Sequence, residues 1–107
     1  MLVSFDYDQS ARRLVCIFYC DMNTEAASRV PDILNHKLEE LLSGAPRSES
    51  LQIVFDLARV GSASSLFLRI ALMAARKVRK EHFTIRGANE HIRDLLTVAG
   101  CGEWLSP

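Results

Sequence analysis

The run Leu14-Val-Cys-Ile-Phe-Tyr-Cys20 limits the fold more than any other stretch of the chain, because it carries no charge and suits a strand best. Alternation places Leu14, Cys16, Phe18 and Cys20 on one face and Val15, Ile17 and Tyr19 on the other. Both faces are apolar, which predicts a central strand covered at least partly on both sides. Residues 2–7 read as a preceding strand and Asp8–Arg13 as the turn between them. The pair makes a hairpin.

Helical spacing then takes over. Val30, Ile33, Leu34, Leu38, Leu41 and Leu42 recur at three- and four-residue steps as one buried stripe, with Glu39 and Glu40 off it. Pro31 fits this helix if Ser28 is its N-cap, since a first-turn amide is unpaired in any case; a start at Thr24 requires a kink. Ser43-Gly44-Ala45-Pro46 closes the helix. Leu51–Phe55 reads as a compact buried strand. Ser64–Lys80 follows as a helix, turning Leu66, Phe67, Ile70, Ala71, Met73, Ala74 and Val78 inward. Its last turns carry Arg76, Lys77, Arg79 and Lys80, which suit the negative end of the helix dipole. Phe83–Arg86 is a short strand, and Asn89 caps a last helix with Ile92, Leu95, Leu96 and Ala99 inward and Gly100 at its end. Trp104 and Leu105 tuck the tail onto the body. The predicted order is β-β-α-β-α-β-α in a single α/β domain over residues 1–107: a sheet with helices packed against it.

Composition excludes several functions. The chain has 107 residues, enough for one core and too few for two domains. Its 13 basic and 13 acidic side chains cancel, so no global field draws it to nucleic acid. No apolar run approaches the ~20 residues of a membrane span, and the acidic N-terminal stretch is unlike a signal peptide. The expected location is the cytoplasm, with no membrane insertion. Cys16 and Cys20, four residues apart on a strand, have Cα atoms ~13 Å apart, too far for a disulfide. Free thiols are expected.

Catalytic patterns are missing too. The sequence holds no Gly-x-Gly-x-x-Gly, Walker-type Gly-Lys-Ser, Cys-x-x-Cys, His-Glu-x-x-His or Gly-x-Ser-x-Gly. His36, His82 and His91 are scattered among charged neighbours and read as exposed polar residues. Asp8, Asp21 and Asp56 are not locally paired as an acid–base set. The expectation is a protein with no cofactor, no metal and no catalytic residues, which works by binding another protein.

One constellation carries information. In Leu51–Arg69, L-Q-I-V-F-D-L-A-R-V-G-S-A-S-S-L-F-L-R, a strand ends at Asp56-Leu57, a loop follows, and Ser64 and Ser65 open an apolar helix. A serine there caps the unpaired first amides, which contributes ~1 kcal/mol in any helix. The whole pattern, however, resembles the STAS domains, the family of anti-sigma factor antagonists and their relatives. Those proteins carry a strand ending in Asp-Leu, a loop, and Asp-Ser-Ser-Gly at the head of a helix. Counted from Asp56, the motif's Asp falls on Ser64 and its phosphorylatable serine on Ser65. Leu66 stands at the second serine, Phe67 at the glycine, and Asn23 where many members have an Asp after the second strand. Phe83-Thr-Ile and Asn89–Gly100 match the family's last strand and helix.

The resemblance implies a STAS-like mixed sheet and an anti-sigma factor antagonist-type regulator of transcription, cytoplasmic and signalling by protein binding. Its implied partner is an anti-sigma factor or related serine kinase. Ser65, or Ser64 beside it, is then the phosphorylation site. Parallel strands bring the Asp21–Thr24 and Asp56–Ser65 loops together, so Asp21, Asn23, Arg59, Val60, Gly61, Ser62, Ser64 and Ser65 form the expected partner-binding edge, with Arg69 about one turn beyond Ser65. The alternative is a STAS scaffold or sensory interaction module that is never phosphorylated. Whether the chain forms a homodimer is left open by the sequence.

Overall fold

A computed structural model of the chain, describing residues 1–42 and 51–106, starts with the expected hairpin of β1 (Val3–Asp8) and β2 (Arg13–Phe18). Asp8 closes the turn: Oδ1 accepts hydrogen bonds from the Ser10 amide (3.0 Å), the Ser10 hydroxyl (2.8 Å) and the Ala11 amide (3.2 Å). An aspartate folding its own backbone in this way is a recurrent turn device. Arg12, at φ 51°, completes the reversal. The antiparallel register pairs Val3 with Phe18 and Asp8 with Arg13.

The sheet order is β1-β2-β3-β4, with β3 (Gln52–Asp56) parallel to β2 and β4 (Phe83–Arg86) parallel to β3. Leu14, Cys16, Phe18, Ile53, Phe55, Phe83 and Ile85 share one core with the buried sides of the helices. Val15 and Val54, each 8% exposed, lie outside that core. Cover is unequal: Leu14, Cys16 and Phe18 are buried against the helices, while on the other side Val15 is buried and Ile17 and Tyr19 are half-buried. The Leu14–Cys20 stretch is thus covered at least partly on both sides, as expected. Helices cover one face. On the other, Val15 and Val54 form a narrow apolar strip whose register neighbours include Asp6, Gln52, Asp56 and Thr84. The strand ends at Phe18, two residues short of Cys20.

Asn23, not Ser28, caps the first helical segment. Its Oδ1 accepts the Ala26 amide at 2.9 Å, opening α1 (Thr24–Ser28). The Ser28 hydroxyl instead donates to the Glu25 carbonyl. The helix breaks at Arg29 and resumes as α2 (Val30–Leu42), with Pro31 in its first turn, where its missing amide costs nothing. The kink foreseen for a Thr24 start is thus present. Within α2 only Val30, Leu34, Leu38 and Leu42 are buried, a strict four-residue step. Leu41 is half-buried and Ile33 is 41% exposed, so the buried stripe is narrower than the sequence suggested. The Ser43–Pro46 stop lies outside the described residues.

α3 (Ser65–Ala75) is shorter than the expected Ser64–Lys80 helix. Beyond Arg76 the hydrogen bonds tighten to three-residue steps, Lys77 to Ala74 and Val78 to Ala75, and a 3₁₀ turn (Lys80–His82) leads into β4. Val78 is buried there, as expected. The basic run follows the helix instead of occupying its last turn, and Arg79 pairs with Glu81 at 3.5 Å. His82 is half-buried, not exposed. α4 (Glu90–Val98) is capped by Asn89 and buries Ile92 and Leu96. Ala99 lies past its end and is exposed, and Leu95 is half-buried. Gly100, at φ +81°, takes the left-handed conformation that ends a helix. The tail then turns through a 3₁₀ segment (Gly102–Trp104) and returns to β4, with Leu105 bridging Ile85.

Edge-to-face aromatic contacts run through the core. Phe67 meets Phe18 (5.2 Å between centroids), Phe18 meets Phe55 (4.9 Å), Phe55 meets Phe83 (5.0 Å), and Phe83 meets Trp104 (5.1 Å). Each such pair contributes about 0.5–1.5 kcal/mol beyond its area burial. The three cysteines are free, and burial pushes the Cys16 thiol far above its ordinary range. Cys16 packs as a small apolar side chain.

Two measurements check this account. Phe55→Ala should lower unfolding free energy in urea by about 3–5 kcal/mol, whereas Ile33→Ala should change it by under about 1 kcal/mol. Asp8 should titrate below the usual aspartate range, chiefly because the Ser10 hydroxyl bonds its charged form. Its contribution to hairpin stability is then full above the unfolded aspartate pKa and is lost as pH falls through the folded value. Carboxyl chemical shifts followed through acid titration read this directly.

Candidate functional site

The C-terminal ends of three parallel strands meet at one edge of the sheet, and the loops leaving them are tied to one another. After β3, Asp56 turns the chain: Oδ1 accepts the Ala58 amide at 3.0 Å, and Oδ2 takes the Nε and Nη2 of Arg86 at 3.2 and 3.1 Å. The Leu57 amide donates to the Arg86 carbonyl at 2.9 Å. Leu57 and Val60 are buried anchors, which leaves Ala58, Arg59 and Gly61 facing outward. The Arg59 guanidinium lies 5.2 Å over the Tyr19 ring, a cation–π contact.

The β2 loop docks alongside. Met22 and Ala63 form a parallel bridge, with the Met22 amide donating to the Ser62 carbonyl (2.9 Å) and the Ser64 amide to the Met22 carbonyl (2.8 Å). Buried Met22 holds this junction from below. The two loops expected to be neighbours are neighbours.

Gly61 is fixed from both sides. Its amide donates to Asp21 Oδ1 at 2.7 Å, and its carbonyl accepts from Asn89 Nδ2 at 3.0 Å. A Cβ on Gly61 would stand 2.9 Å from Asp21 Oδ1, so only glycine leaves that bond undisturbed. Asn89 meanwhile caps α4 through Oδ1, which accepts the Ile92 amide at 2.9 Å. One side chain thus serves two loops. Gly87, at φ +74°, brings the β4 loop against Ala58 so closely that a Cβ there would lie 2.9 Å from the Ala58 nitrogen.

At the head of α3 the two serines differ. Ser64 is the N-cap, its Oγ accepting the Phe67 amide at 3.3 Å, and it is half-buried. Ser65 is the first helical residue and is exposed. Among the described residues its hydroxyl has no hydrogen-bond partner. Helical residues two apart point about 200° away from each other, so Phe67 in the core turns Ser65 outward. Arg69, one turn on, is exposed as well.

The chain matches no protein-family model and no curated protein. Among solved structures, the anti-sigma factor antagonist SpoIIAA in its unphosphorylated form aligns with a TM-score of 0.69 at 12% identity, over 96% of this chain and 86% of that one. The fold is SpoIIAA-like. A protein of the DUF3478 family from Shewanella loihica PV-4, itself described as having a SpoIIAA-like fold, aligns with a TM-score of 0.55 at 16% identity, over 92% and 75% of the two chains. The STAS-like α/β architecture expected from the sequence is the observed one.

On this SpoIIAA-like frame the expected edge is assembled from Asp21, Asn23, Arg59, Gly61, Ser62, Ser64 and Ser65, with one correction. Val60 is 3% exposed and anchors the loop from inside, because the tight turn from Leu57 points it into the core. Asn23 and Ser64 spend their side-chain oxygens on helix caps. Asn89, Arg86, Tyr19 and Gly87 were missed. The parallel-strand argument that joined the first two loops extends to residues 87–89 and could have found Gly87 and Asn89, and the ends of β2 and β4 beside them point to Tyr19 and Arg86. Among the described residues, no three His, Cys, Asp or Glu side chains converge on a position for a metal ion.

Substitutions at Asn89 separate its two bonds. Asn89→Asp keeps the cap oxygen for Ile92 but sets a carboxylate against the Gly61 carbonyl, so amide exchange at Gly61 should quicken while Ile92 stays protected. Asn89→Ala should expose both and lower stability by about 1–2 kcal/mol. An Asn89→Asp variant with unchanged Gly61 exchange would show that the tie does not hold the loop.

Proposed function

We propose that this protein is a STAS-family regulator of the anti-sigma factor antagonist type, acting in the cytoplasm. In this reading the edge formed by Asp21, Asn23, Arg59, Gly61, Ser62 and the head of α3 docks on an anti-sigma factor related to serine kinases. Ser65 is the phosphorylation switch. The observation that carries the proposal is the division of labour between the serines: Ser64 satisfies the helix cap, which leaves the Ser65 hydroxyl exposed and uncommitted beside a preformed loop.

A phosphate on Ser65 adds about −1.5 to −2 charge. At the first residue of a helix it sits near unpaired amides and the positive end of the dipole, so the domain itself tolerates it. Arg69, one turn later, adds a cation on the same exposed side. The new charge therefore acts on a partner, through desolvation and repulsion across the contact, and the domain has no need to change shape.

A second reading, a STAS scaffold that is never phosphorylated, is favoured by the three motif positions at which Ser64, Leu66 and Phe67 replace an acid, a serine and a glycine. Phe67 fits there because it points into the core. Intact-mass analysis after incubation with ATP and serine kinases of the same cell separates the two. The switch reading expects a phosphoryl-sized gain that Ser65→Ala abolishes, and a Ser65→Asp variant that binds the anti-sigma factor about tenfold or more weakly with its thermal midpoint nearly unchanged. No mass gain, together with wild-type binding by Ser65→Asp, would overturn it.

A further inference from the structure

The face of the sheet opposite the helices carries a shallow open basin of about 240 Å³ lined by Arg13, Gln52, Val54, Thr84, Arg86 and Ser106. The sheet register fixes its layout. Arg13 pairs with Gln52, Val54 with Thr84, and Arg86 with Asp56, so the lining runs diagonally from β2 across β3 to β4. Ser106 is brought to the β4 side by its amide, which donates to the Ile85 carbonyl at 2.9 Å. A guanidinium therefore stands at each end of the diagonal, offset by four residues of β3, or about 13 Å of strand. The long Arg13 side chain can shorten that span from its end, whereas Asp56 holds the Arg86 guanidinium at its own level of the sheet.

Between the two cations lie an amide and two hydroxyls, which can donate or accept, and a floor of buried Val54. Two carboxylates are close to the arginines, and both already hold hydrogen bonds. Asp56 accepts from Arg86 and Ala58, which orients the Arg86 guanidinium, and Asp8 holds its own turn. Arg13 stands opposite Asp8 in the register and its charge helps hold that carboxyl in the ionised form, while its side chain makes no hydrogen bond among the described residues.

We propose that this basin binds a small organic molecule bearing two oxyanion groups, carboxylate or phosphate. Arg13 takes one group and Arg86 the other, and the polar body of the molecule rests on Gln52, Thr84 and Ser106. Forked guanidinium donors match the planar or tetrahedral oxygens of such groups. The site shares Arg86 with the edge that carries Ser65 but lies on the face of the sheet, and it does not depend on the function proposed for that edge.

Amide NMR titration of the full chain tests this with four probes: 3-phosphoglycerate with two anionic groups, glycerol 3-phosphate and glycerate with one each, and neutral glycerol. The expected result is saturable shifts at Gln52, Val54, Thr84 and Ser106, with 3-phosphoglycerate binding about tenfold or more tightly than either single-headed probe and glycerol giving none. Arg13→Gln should weaken 3-phosphoglycerate by a similar factor, and Thr84→Val by less, with both variants keeping the wild-type fold by their amide spectra. The proposal is overturned by an absence of saturable shifts up to about 10 mM, by equal binding of one- and two-headed probes, or by undiminished binding to Arg13→Gln.

Discussion

The head of α3 at the candidate edge depends first on where Phe67 goes. Its ring lies across Phe18 and near Phe55, which pins the first turn of α3 over the middle of the sheet. Burying such a ring contributes about 1.5–3 kcal/mol before any stacking geometry is counted. Helical phase does the rest. Once the third residue of α3 is fixed inward, the first has to face solvent, and the residue before it is left to cap. Ile70, Ala71 and Ala74 hold the rest of the helix in the same phase, and the Ser64 amide is bonded to the Met22 carbonyl at 2.8 Å.

The loops add a second layer of constraint. Three chain segments far apart in sequence converge on Gly61, which is gripped at its amide by Asp21 and at its carbonyl by Asn89. A surface held this way would have little conformational entropy to lose if a partner docked on it. The cap at Asn89 also makes α4 a mechanical neighbour of the α3 loop, although the two helices are separated by a strand and several turns of chain.

Much of this was legible in the residues themselves. Alternation located the strands, because a period of two is set by backbone geometry. Asn89, Gly100 and Trp104 announced the last helix and the returning tail through cap and burial chemistry. The STAS-like order placed two loops side by side. The misses share a cause, which is tertiary context. Ile33 has the right periodicity, yet among the described residues no element covers its side of α2. Val60 looks like any loop residue until the turn from Leu57 directs it inward. The break at Arg29 reflects the chain's need to redirect before Pro31, and the early end of α3 reflects the need to reach β4; neither leaves a mark in hydrophobic spacing. Asn89's second bond depends on a partner 28 positions away.

The returning tail has a consequence for how molecules of this protein meet. Leu105 and Ser106 lie along the outer side of β4 and occupy part of its hydrogen-bonding rim. Among the described residues, β1 is left as the strand with a neighbour on one side only. An open rim is a template for another chain's backbone. Here it carries Asp6 and Asp8, whose like charges would be forced together if two copies zipped along it in parallel. The two rims are thus guarded by different means, one by a physical cover and the other by electrostatic repulsion. Trimming the tail would shift the burden of keeping chains apart onto a strand that has no cover to offer.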